Sequence, residues 1–190
     1  MKLSKYGLNL AFFIVLIINN NFLLAQNELS QIENCWSQKQ ILTKKETAKI
    51  GKYRNFHIHN TACSSETETL WAVEIEYKLL ISNQNRFAGD ENFNQNYYET
   101  RLAYIDADEL ENMIFALQKL QLQLNSPKID TTEFQYTSRA GFKIHSVFNP
   151  QWEKWLIYVE FSDKKRNKIT RNTLIELTKL LQQAMQKIKS

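Results

Sequence analysis

Between Trp71 and Ile81 every second residue is large and apolar: Trp71, Val73, Ile75, Tyr77, Leu79 and Ile81 alternate with polar positions that include Glu74, Glu76 and Lys78. Side chains two apart on an extended chain share a face, so this segment reads as an antiparallel strand with one dry face and one wet face. Such a strand needs neighbours on both edges and a cover for its apolar face. The rest of the chain supplies candidates for both. Phe56 and Ile58 alternate with His57 and His59, and a returning strand is expected from Tyr98 to Ile105. Further on, Phe134 and Tyr136, then Phe142, Ile144, Ser146 and Phe148, then Trp155, Ile157, Val159 and Phe161, repeat the same period-two pattern.

Two segments switch to the helical period. Leu110, Met113, Ile114, Leu117, Leu120 and Leu124 fall on one face, behind Asp106 and Glu109 placed as a capping box. Leu174, Leu177, Leu181, Ala184 or Met185, and Ile188 do the same from about Arg171 to Lys187. A shift of 64 residues sets Ile105 on Ile169, Asp106 on Thr170, Leu110 on Leu174 and Leu117 on Leu181. The expected fold class is therefore α+β: an antiparallel sheet of about six strands, with two amphipathic helices on one face, built as two strand-strand-strand-helix units. Residues 26–46 show no firm periodicity and read as a partly ordered lead-in, so the single domain is expected over 47–190.

Lys2 and Lys5, the apolar run to Ile18 and the small residue Ala25 read as a signal peptide over residues 1–25. The run is short of the ~20 residues needed to span a membrane, so a periplasmic or extracellular location is expected. Without Lys2 and Lys5 the net charge of +4 falls to +2, which argues against a nucleic-acid partner. Cys35 and Cys63 are the only cysteines, and an oxidising compartment would pair them.

The candidate chemistry is thin. No Gly-x-Ser-x-Gly, Gly-rich phosphate loop or His-Glu-x-x-His occurs, so no catalytic residue and no cofactor is assigned. His57 and His59 share a strand face and could both reach one zinc or copper ion, in a metal-binding protein or a metal-dependent enzyme, or they are two solvated imidazoles. Glu74, Glu76 and Glu160 are carboxylates on wet faces, with nothing in the sequence that builds a cleft between them. Lys164, Lys165, Arg166, Lys168 and Arg171 form a basic run, which is either a solvated turn or a contact for anionic lipid or polysaccharide. Arg139, in a turn with Gly141, offers a further cation.

The segments Tyr104-Ile105-Asp106-Ala107-Asp108-Glu109-Leu110 and Tyr136-Thr137-Ser138-Arg139-Ala140-Gly141-Phe142 resemble parts of an uncharacterised family of small exported bacterial α+β proteins. The resemblance spans roughly residues 70–188 and implies export and fold, with no activity to carry over. The expectation is a non-enzymatic exported module that binds a protein or glycan. Its open sheet face would carry His57, His59, Glu74, Glu76, Arg101, His145, Leu156, Tyr158 and Glu160, bordered by Trp152, the Phe87–Phe93 loop and the Ser138–Gly141 turn.

Overall fold

A computed structural model describes residues 30–37, 42–82, 96–126 and 130–190. The expected signal peptide and the Phe87–Phe93 loop lie outside the described residues. A short helix α1 (Gln31–Ser37) precedes four strands, β1 (Lys44–Tyr53), β2 (Phe56–Ser64), β3 (Thr69–Ser82) and β4 (Asn96–Asp106), and helix α2 (Ala107–Gln123). Strands β5 (Glu133–Thr137), β6 (Lys143–Asn149), β7 (Lys154–Glu160) and β8 (Arg166–Ile169) lead to the final helix α3 (Arg171–Lys189).

The class is α+β as expected, but the strands form two antiparallel four-stranded sheets, β1-β2-β3-β4 and β5-β6-β7-β8, in place of one sheet of about six. Each unit is accordingly four strands and a helix. The two strands missing from the sequence reading have physical reasons to hide. β1 is an edge strand that carries Lys44, Lys45, Lys49 and Lys52, the charge that keeps an edge from pairing with other chains. It also bulges between Lys49 and Gly51, which breaks the period-two signal. β8 is four residues inside the basic run, with only Ile169 buried.

The register makes the two units superimposable position by position. Ile58 pairs with Ile75 as Ile144 pairs with Val159, and Val73 pairs with Ile105 as Ile157 pairs with Ile169. Phe56 and Tyr77 therefore correspond to Phe142 and Phe161. Their ring pairs lie 4.9 and 5.1 Å apart, and the units meet where Tyr77 and Phe161 stack at 5.8 Å. These rings join the apolar faces of α2 and α3 in one core containing Leu110, Met113, Leu117, Leu174, Leu177 and Leu181. Each such side chain, fully buried, contributes about 1.5–3 kcal/mol. The core is tightened by Asn60, whose amide donates to the Ala184 carbonyl at 2.9 Å, and by Gln121 donating to Thr178 at 2.7 Å. Gly51 gives α3 its close approach to β1, since a Cβ there would stand 2.6 Å from Leu180.

The capping boxes are redistributed. Thr170 caps α3, accepting from the Thr173 backbone N–H at 3.2 Å. Asp106, at the corresponding position of α2, makes no such bond. Its buried carboxylate accepts instead from the backbone of Gln31 and Ile32 and from Arg139, at 2.8, 3.4 and 2.8 Å. Burial pushes its pKa up in spite of these bonds. Glu109 accepts from the Tyr136 hydroxyl and the Arg139 backbone N–H. Arg139, which also pairs with Asp108 at 3.0 Å, is therefore a tie between the β5–β6 turn, α2 and α1.

The segment read as a lead-in holds α1 and the start of β1. The capping box that was expected on α2 is found here: Ser30 Oγ accepts from the Glu33 N–H, and the Glu33 carboxylate accepts from the Ser30 N–H at 3.1 Å. α1 lies on the outer face of the first sheet. Ile32 and Cys35 pack there against Cys63, Ala72 and Tyr104, and the Cys35–Cys63 disulfide is formed. No described helix is long and apolar enough to cross a membrane.

Candidate metal centre on the outer face of the first sheet

α1 covers only one end of that outer face. The other end carries His57 and His59 on β2 and Glu76 on β3, and the β2–β3 register sets His57 directly opposite Glu76 and His59 opposite Glu74. The carboxylate therefore stands between the two imidazoles. Glu76 Oε2 is 3.7 Å from His57 Nδ1 and 3.9 Å from His59 Nε2. All three ligand atoms lie within 4.8 Å of one another, and among the described residues no other three His, Cys, Asp or Glu side chains converge in this way. The three side chains are 23, 20 and 18% exposed, so they are held by their neighbours yet still open to solvent.

Neither imidazole makes a hydrogen bond of ordinary length to a described residue, since 3.7 and 3.9 Å exceed that range. Lys78 takes the other Glu76 oxygen at 3.1 Å, which fixes the carboxylate and leaves Oε2 toward the histidines. Burial holds the His57 pKa below the ordinary imidazole value, and Lys78 lowers it further against the opposing pull of Glu76. Cys63, the nearest sulfur in the sequence, is committed to its disulfide and donates no thiolate.

Around this cluster the face is mixed. Glu74 is bonded by the Tyr104 hydroxyl, whose own pKa is raised by burial and by that carboxylate, and it pairs with Lys45 at 3.8 Å. Lys49 and Lys52 pair in register with His59 and His57 on the exposed edge strand. Leu80, Tyr98 and Leu102, on the same face of β3 and β4, are 50, 66 and 44% exposed, and Leu102 stands directly across from Glu76.

The other expected face residues do not join this group. His145, Tyr158 and Glu160 belong to the second sheet, and His145 and Glu160 are buried where an open face was expected. His145 stacks on Tyr158 at 5.2 Å with its Nε2 unbonded. Glu160 is closed between Lys143 and Arg166, at 3.0 and 3.3 Å. Arg101 falls on the inward side of β4, opposite Tyr77, and is 7% exposed between Glu99 and Asp163. Arg101 is misplaced in the sequence reading because a charged residue in a half-polar strand does not announce its parity.

Trp152 is exposed in the β6–β7 turn with Lys154 over its ring, and Leu156 is half-buried on β7. Trp71, expected in the core, lies at the exposed end of its strand. The basic run is not one free face either. Lys165 pairs with Glu99 and Arg166 with Glu160, while Arg171 donates to Asn125; Lys164 and Lys168 point to solvent.

Glu76 is the member of the centre that sequence reasoning left among the wet-face carboxylates. Only the β2–β3 register, which no single strand pattern contains, puts it beside His57. No protein-family model matches this chain, and neither a curated protein nor a solved structure is matched by it.

Proposed function

We propose that the protein is an exported binding module whose working surface is the open end of the first sheet's outer face, where it binds a partner without transforming it. The observation that carries this reading is the exposure of Leu80, Tyr98 and Leu102 together on one sheet face. Large apolar side chains clustered on a surface mark contact sites, while scattered single ones do not. The rest of that face is already sealed by α1, so what remains open is bounded.

Lys78 lies between Leu80 and Leu102, and Lys45, Lys49 and Lys52 stand on β1 at the other side of the same face, so that its lysines outnumber Glu74 and Glu76. The partner that fits is a protein presenting an apolar contact flanked on one side by acidic groups. Export is supported by the N-terminal segment and by the formed disulfide, which persists in an oxidising compartment.

The test is a photo-crosslinking residue placed at Tyr98, with a second at Phe115 as control, since Phe115 is also an exposed ring, on α2 away from the sheet face. Expression in the native cell is expected to give one discrete adduct from position 98, lost in a Leu80→Ser/Leu102→Ser background. The same adduct from both positions, or one indifferent to the double substitution, would remove the patch as the working surface.

A further inference from the structure

We infer that His57, His59 and Glu76 form a binding site for a divalent transition-metal ion, with zinc the ion whose ligand preferences they meet. The inference goes beyond the partner-binding reading and does not depend on it. Two imidazole nitrogens and one carboxylate oxygen are a recurrent zinc donor set, with bonds of about 2.0–2.2 Å and a fourth position left open. Bonds of that length place tetrahedral ligands roughly 3.3 Å apart. The observed 3.7 and 3.9 Å spacings from the carboxylate, and an imidazole–imidazole spacing within 4.8 Å, are to be closed by side-chain rotation. The backbone already does the larger part of the work, because positions i and i+2 of β2 and the directly paired position of β3 are fixed by the sheet.

The second unit is an internal control for this geometry. By register, Lys143 corresponds to His57, His145 to His59, Glu160 to Glu76 and Arg166 to Leu102. There the carboxylate has its cations built in, since Lys143 and Arg166 both reach it. A protonated Lys or an Arg offers no lone pair to a metal. In the first unit neither of those positions carries a cation, one being an imidazole and the other a leucine, so that the ligand set differs from its counterpart at one residue, His57, which brings a lone pair where the second unit has an ammonium. Lys78 compensates on one oxygen only, and acts as the outer partner that orients a ligating carboxylate. Lys49 and Lys52 oppose a dication, which favours a site built from imidazoles over one built from carboxylates alone.

The experiment is calorimetric titration of the untagged, processed full chain with zinc salt after chelator treatment. One ion per chain is expected, with affinity reduced about 100-fold or more in His59→Gln, beyond the ~10–100-fold typical of losing a residue behind a ligand. His57→Lys carries its own folding control, because it recreates the ion pair that the second unit already holds. It is expected to melt like the parent and to bind no zinc. Should a variant fail to fold, the parent protein suffices: it has three histidines, and zinc is expected to shift the imidazole resonances of His57 and His59 while leaving His145 in place. Absence of saturable one-to-one binding, undiminished binding in a folded His57→Lys protein, or equal shifts at all three histidines would each overturn the site. The crosslink at Tyr98 is read separately and can succeed or fail on its own.

Discussion

Glu76 and Glu160 occupy the same position of two equivalent units, and both residues directly across from them differ, His57 and Leu102 against Lys143 and Arg166. Glu160 is 6% exposed, with Lys143 and Arg166 on its two oxygens. Glu76 keeps one oxygen on Lys78 and turns the other to two imidazoles it does not quite touch. The inner faces have hardly diverged: Phe56 and Phe142, Ile58 and Ile144, Ile105 and Ile169 are the same residues at the same places. Packing holds the inner positions to a common solution, because a buried ring can be replaced only by one of similar shape. The outer positions are free to differ. One unit has used them to close its surface with ion pairs, and the other has added α1 at one end and left histidines, a carboxylate and exposed leucines at the other.

The largest test of this asymmetry is the disulfide, which only the first unit has. Closing a loop of this size is worth about 3 kcal/mol, and Cys35→Ser/Cys63→Ser is expected to lower stability by about that amount. Amide exchange should localise the effect. Protection should fall across α1, β2 and β3, while β6 and β7 hold theirs until global unfolding. Equal loss in both sheets would mean that the units do not open separately and that the comparison describes geometry alone.

Next in size is the carboxylate itself. Glu160→Gln removes two charge-assisted bonds from a buried oxygen pair and is expected to cost about 2 kcal/mol at neutral pH. Glu76→Gln, where the single ion pair is half-exposed, should cost under about 1 kcal/mol. The acid limb gives Glu160 a second readout. Burial works against the charged form of Glu160, but the bonds from Lys143 and Arg166 outweigh it and hold the pKa below the usual 4.5. A depressed folded pKa means stability that is complete above 4.5 and lost as pH falls through the folded value. Urea melts across that window should flatten in Glu160→Gln relative to the parent.

What the sequence shows of this molecule is whatever one element writes by itself. The six strands with a clean alternation, the two long helices, the 64-residue offset of their N-caps and the cysteine pair are all local or compositional, and all are present. The residues that escaped are those decided between elements. β1 is masked by its lysines and bulge, and β8 is too short to show a period. The split into two sheets depends on whether β4 and β5 pair, which no strand pattern states. Asp106 reads as a cap because its spacing to Glu109 is right, yet α1 and Arg139 compete for its carboxylate and win. For the candidate site the histidine pair was legible from its i, i+2 spacing, while Glu76 waited on register and the burial of His145 on the stacking of Tyr158. The one neglected local signal was Ser30 followed by Glu33, a capping box placed before too few apolar residues to suggest a helix.

The smallest effect concerns His145, the counterpart of His59. It is buried against Tyr158, and burial lowers its pKa below 6.5, with Arg166 adding to the depression and Lys143 contributing in the same sense, against the opposite pull of Glu133 and Glu160. The unfolded chain therefore takes up a proton at pH values where the folded chain refuses it. Stability from this group is whole above 6.5 and declines as pH drops from there to the folded pKa, with a slope of at most about 1.4 kcal/mol per pH unit. His145→Phe keeps the stack on Tyr158 and removes the proton site and the unbonded Nε2. It is expected to flatten the stability profile just below pH 6.5 without lowering the plateau above it. An unchanged profile would place the slope elsewhere in the chain and would leave His145 a packed ring with no part in the difference between the units.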